Sequence, residues 1–192
     1  MHFFFVQDYR RKYRYISSEP IHNIQVKFTR LEKIWNEARR RLMLLPKRIL
    51  AQEQAFERAS KSEGETIRIL HSGRLDEKKI KRKFFLFLQK QRSKHTLLLV
   101  GECILLPFSG LLAFLPGPNI FFGILALVML THWQALRGIN KLSRKHHQLI
   151  PDQDLRAWEN AIETGQGNNY LPILEKIEKK FDFESLHKIL YK

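Results

Sequence analysis

The chain has 192 residues, a formal net charge of +15, 44% hydrophobic and 28% charged side chains, and a single cysteine, Cys103. One cysteine excludes an intrachain disulfide framework, and the length suits one domain or one domain with appendages. Residues 1–150 hold 28 basic and 11 acidic side chains, and the rest 6 basic and 8 acidic, a balance that suits an anionic partner such as phospholipid or nucleic acid.

The opening MHFFFVQDYRRKYRYI is no secretory signal, because its apolar run is short and its charges follow that run. It is no transit peptide either, so the mature chain is expected to begin near Met1. Residues 3–16 read as a strand or a short helix. From Ile24 to about Ser60 the pattern is helical, with Val26, Phe28, Leu31, Ile34, Trp35, Ala38 and Leu42 at three- and four-residue steps. Pro46 should break or kink that helix. Residues 60–64 and 71–73 read as loops. Asp76 can cap a helix whose face is Ile80, Phe84, Phe87 and Leu88. No stop signal follows His95, so this helix can continue into the apolar segment. Beyond Arg137 a polar, basic stretch reaches Ile150. Short helices are expected at 152–164, ended by Gly165, at 170–181, and at 183–191, capped by Asp182.

Thr96 to Leu136 contains one ionised side chain, Glu102. Apolar residues go all the way round, which a half-buried helix does not show. Thr96–Leu115 is about 20 residues, or ~30 Å of helix, the thickness of a hydrocarbon core. Asn119–Leu136 is slightly shorter. Between them Pro116, Gly117, Pro118 and Asn119 supply a turn and a cap. The expected fold class is mainly α: an integral membrane helical hairpin with flanking amphipathic soluble helices. The expected division is a basic, mainly helical N-terminal region (1–94), a two-span hairpin with a PGPN tip (95–137) and a helical C-terminal tail (138–192). The competing reading is a soluble all-α core with one very apolar hairpin.

The flanks favour the membrane. Arg74 to Lys94 holds nine basic residues and Arg137 to Lys145 four, against none at the tip. Both termini are then expected on the cytoplasmic or matrix side. Trp133 stands where an interfacial anchor would. Lys78, Lys79, Lys81, Arg82, Lys83 and Arg137 are candidate contacts to anionic headgroups or RNA. Pro107 should kink the first span near Cys103. Gly101, Ser109, Gly110 and Gly123 offer small surfaces for helix approach.

Folding the segment about Gly117–Pro118 brings Glu102 level with His132 and Trp133. An acid in an apolar setting is a functional candidate, and burial should raise its pKa until it can carry a proton. Glu102 and His132 are therefore the transport candidates. The alternative is a Glu near the interface that snorkels or pairs with Lys94 or His95. His146-His147 has no companion ligands, so a solvated pair is the better reading and no metal is expected. No phosphate loop, nucleophile elbow, HExxH or paired-carboxylate motif is present. Neither enzymatic activity nor a cofactor is expected. The Arg39-Arg40-Arg41 run and the basic helix could bind RNA, but most such runs are solvated or lipid-facing, so a nucleic-acid partner is not expected.

LPFSGLLAFLPGPNIFFGILALVMLTHWQALRG resembles the core of the mitochondrial K+–H+ exchange-related proteins. The matching positions are Leu115, Pro116, Pro118, Asn119, Phe121, Phe122, His132, Trp133, Ala135, Leu136 and Gly138. Trp35, Arg48, Ile49 and Glu53 look similar to the family's N-terminal part. The tail has no counterpart. A fainter similarity, in the LPFS run, is to leucine-zipper, EF-hand-containing inner-membrane proteins, but no EF-hand loop exists. The resemblance implies a part in potassium–proton exchange or monovalent cation homeostasis, as exchanger component or accessory subunit. It places the chain in the mitochondrial inner membrane or a bacterial plasma membrane, as a homo-oligomer or in a larger complex. The other class of function is a membrane-anchored scaffold whose basic helices hold lipid, ribosomes or other proteins.

Overall fold

The computed structural model describes residues 2–17, 47–61, 66–111, 120–165, 171–181, 186 and 190. Four strands and five helices lie in these segments: β1 (His2–Gln7), β2 (Tyr13–Ser17), α1 (Lys47–Lys61), β3 (Ile67–His71), α2 (Glu77–Leu111), α3 (Ile120–Arg144), β4 (His147–Pro151), α4 (Gln153–Thr164) and α5 (Leu171–Phe181).

The strands form one mixed sheet in the order β2-β1-β3-β4. β1 and β2 are an antiparallel pair with Phe4 opposite Ile16 and Phe5 opposite Tyr15. The Asp8 carboxylate closes their connection by accepting from the Arg10 and Lys12 amides and pairing with Arg14. β3 runs parallel to β1, with Phe3 beside Ile69, and β4 parallel to β3, with Ile69 beside Leu149. Parallel neighbours need long crossovers. The α2–α3 pair supplies the one between β3 and β4.

Because strand side chains alternate between faces, the aromatic run of β1 serves two cores. Phe3 and Phe5 join Tyr15, Ile67 and Ile69 under α1, α2 and α3, where they meet Phe56, Ile80, Phe84, Ala135, Ile139 and Leu142. Phe4 and Val6 join Ile16 and Leu70 on the opposite face, against Leu155 and Trp158 of α4, Leu174 and Ile177 of α5, and Leu186 and Leu190. The sheet is thus sandwiched between helices, which explains a strand with no polar face.

This architecture corrects the expected integral membrane hairpin with flanking helices. The sheet was not anticipated, and the residues expected to run on as a polar stretch after Arg137 instead complete α3 and form β4. Among the described residues no helix is long and apolar enough to cross a membrane. The first half of α2 and the last half of α3 carry the basic side chains and belong to the layer on the sheet. The assignment of both termini to one side of a membrane loses its basis with the hairpin. α2 is continuous from Glu77 through Pro107 to Leu111. Pro116, Gly117, Pro118 and Asn119, the expected tip, lie outside the described residues, as do the helix expected over 24–46 and the cap at Asp182.

The C-terminal helices are tied down by polar contacts. Asp152 caps α4, accepting from the amides of Asp154 at 2.9 Å and Leu155 at 3.1 Å. Lys180 of α5 donates to its other oxygen at 2.7 Å. Trp158 Nε1 donates to the Gln7 carbonyl at 2.9 Å. Asp152→Ala removes the cap and the cross-link together and is expected to cost about 1–2 kcal/mol of unfolding free energy in urea titration.

Candidate functional site

Glu102 and His132 do come together. They lie on the facing sides of α2 and α3, with His132 Nε2 at 3.2 Å from Glu102 Oε1. The antiparallel packing of the two helices brings them level, as folding the sequence about its turn had indicated. The structure adds a third group. His95 lies two turns before Glu102 on α2, hence on the same face, and its Nδ1 is 3.0 Å from His132 Nδ1. The resulting line is His95–His132–Glu102, and its central residue, not His95, is the partner of the carboxylate.

The line sits where α1, α2 and α3 meet. His95 is fully buried and meets the Phe56 ring edge-on at 6.1 Å. The side chains of His132 and Glu102 are 15% and 12% exposed. The second carboxylate oxygen of Glu102 is buried with no hydrogen-bond partner among the described residues. Burial raises the pKa of Glu102. Burial, and then the Lys94 charge, lowers that of His132. Burial, then His132 and Lys94, pushes His95 down to about 4. All three groups are driven toward their neutral forms. Desolvation therefore outweighs the attraction a Glu⁻–His⁺ pair would gain, and a neutral hydrogen-bonded chain results.

Such a chain has two proton arrangements. In one, the Glu102 acid donates to His132 Nε2 and His132 Nδ1–H donates to His95 Nδ1. In the other, His95 Nδ1–H donates to His132 Nδ1 and His132 Nε2–H donates to the Glu102 carboxylate. His132 stays neutral in both, with one donor and one acceptor nitrogen, so its two hydrogen bonds reverse together. Passing from the first arrangement to the second moves one positive charge from Glu102 to His95 without either group moving, so the first is neutral throughout and the second is a carboxylate–imidazolium pair, which burial disfavours.

The other expected residues are scattered. Lys78, Lys79, Lys81, Arg82 and Lys83 are exposed on the first half of α2. Trp133 is exposed on α3, with the Arg137 guanidinium 5.8 Å from its ring centre. Pro107 is exposed within α2. Gly101 faces open space, and the close helix approach occurs at Gly138 instead, against the α1 backbone at Phe56. His147 Nε2 bonds the Leu142 carbonyl at 2.9 Å. Among the described residues no group of three potential ligands could hold a metal ion. The sequence signal for His95 was its seven-residue spacing from Glu102, which places both on one helix face.

A protein-family model described as mitochondrial K+-H+ exchange-related matches residues 7–145, more than two thirds of the chain. The matched region contains His95, Glu102, His132 and Gly138 and ends before α4 and α5. No curated protein and no solved structure matches the chain.

Proposed function

The chain belongs to the mitochondrial K+-H+ exchange-related family, and from that premise we propose that it serves potassium–proton exchange at the mitochondrial inner membrane. Its part is that of an exchanger component or accessory subunit, with no catalysis of covalent chemistry. The observation that carries this reading is the unbroken His95–His132–Glu102 line. It is largely buried, it can pass between a neutral and a charge-separated arrangement, and it can hand on a proton. The side chains of Leu97, Val100, Ile104, Leu105 and Phe108 stand exposed along α2, Leu97 at 74% and Phe108 at 62%. An apolar row of that extent supports assembly with further copies or within a larger complex.

The test is potassium-dependent proton flux in mitochondria whose only copy carries Glu102→Gln. Gln keeps the shape and a hydrogen bond but cannot release a proton. Flux is expected to fall at least ~10-fold, in the range typical of a lost proton-transfer group, while the melting temperature is held or raised. Wild-type flux from a folded Gln variant overturns the reading.

The basic first half of α2 supports a second reading, in which the chain is a scaffold on an anionic surface. The Gln variant separates the two, because a scaffold has no need of an ionisable group at position 102.

A further inference from the structure

A cleft of about 680 Å³ opens between the edge strand β2 and the first half of α2. Tyr13, Tyr15 and Phe87 floor it, and Leu86, itself half exposed, forms one wall. Lys12, Lys83 and Lys90 stand around it, and among the described residues no acidic side chain lines it. Arg14 also reaches the cleft, but Asp8 holds its guanidinium. The volume falls within the ~300–1,000 Å³ of small-molecule sites, which pair an apolar lining with a few converging polar groups.

We infer that this cleft binds the phosphate-bearing head and first acyl carbons of one anionic phospholipid. The three ammonium groups would neutralise the phosphate. The aromatic floor and Leu86 would cover the start of the chain. A nucleobase fits the site less well. Tyr13 is already stacked on Phe5 at 4.7 Å and has the Lys83 ammonium 4.9 Å from its ring centre, so its ring is engaged before any base arrives. The site is separate from the His95–His132–Glu102 line and does not depend on it.

The experiment is calorimetric titration of the full chain with monomeric dihexanoyl phosphatidylglycerol. The comparison arms are dihexanoyl phosphatidylcholine, inorganic phosphate and a single-stranded RNA. Saturable binding of one phosphatidylglycerol per chain is expected. The zwitterionic lipid and inorganic phosphate should each bind at least ~10-fold more weakly, as for loss of one charge-assisted or apolar contribution. Lys83→Gln and Lys90→Gln should each weaken binding roughly tenfold, whereas Lys179→Gln on α5 should not. All three residues are exposed, so unchanged melting temperatures verify the fold. Equal affinity for inorganic phosphate overturns the lipid assignment. So does tighter RNA binding lost in the same variants, or phosphatidylglycerol binding that survives both cleft substitutions.

Discussion

Gly138→Ala is expected to lower the unfolding free energy by about 3 kcal/mol, the upper end of ordinary overpacking. A β-carbon built at Gly138 stands 1.8 Å from the Phe56 carbonyl oxygen, 2.6 Å from its carbon and 3.1 Å from its Cα. All three atoms are backbone, so no rotamer change relieves the clash and α1 must move. α1 cannot move alone. Ala55, Phe56 and Ala59 are buried in the core on the sheet, and the Phe56 ring contacts both Phe87 and His95. The displacement therefore reaches the histidine line. Urea titration measures the loss, and the imidazole resonances of His95 should shift with it. Gly101→Ala is the control. It too lies inside a helix, but its β-carbon meets nothing within 4 Å, so it is expected to stabilise by up to ~1 kcal/mol through helix propensity. Equal behaviour of the two variants would rule out the close α1–α3 approach.

The second large effect is on pH. The buried His95 titrates at about 4 rather than 6.5. As pH falls from about 6.5 to 4, the unfolded chain binds a proton there that the folded chain refuses. Stability is therefore fully present above pH 6.5 and declines below it, by at most ~1.4 kcal/mol per pH unit and on the order of 3 kcal/mol in all. His132, lowered by burial, adds in the same direction. Glu102 works the other way. Its raised pKa means the folded state keeps a proton that the unfolded state has lost, so its contribution is present below pH 4.5 and disappears as pH rises through the folded value. Thermal melts across pH 4–7 should show an acid-side decline that flattens in His95→Asn and steepens in Glu102→Gln. The same slope in all three proteins would mean that the line is not the source of the pH dependence.

Much of the helical layout was legible locally. The α2 face of Ile80, Phe84 and Leu88 follows from helical spacing, the continuation past His95 from the lack of a stop signal, and the end of α4 from Gly165, which takes the left-handed conformation expected there. The sheet was not legible. β3 and β4 are five residues each, too short for periodicity to separate strand from loop. Their partners lie across long crossovers, and such pairing leaves no local mark. The continuous apolar run of β1 was ambiguous for a related reason, because a strand buried on both faces shows no alternation.

The same division holds at the site. Glu102 was conspicuous as a single acid in an uncharged block, and its near-equal sequence distance with His132 from Gly117–Pro118 set the two at one depth. That inference needed only chain geometry, which is why it survives the correction of the hairpin that first suggested it. His95 looked like a flanking residue until α1 closed over it, and Gly138 had no physical explanation until the Phe56 backbone was placed beside it. The sequence by itself determined the helix faces, the isolated acid and the family. The tertiary structure decided the two-faced sheet, the three-residue hydrogen-bonded line and the glycine contact. Each of these joins segments far apart in the chain, and burial from all sides, which moves the pKa values, exists only once those segments have packed.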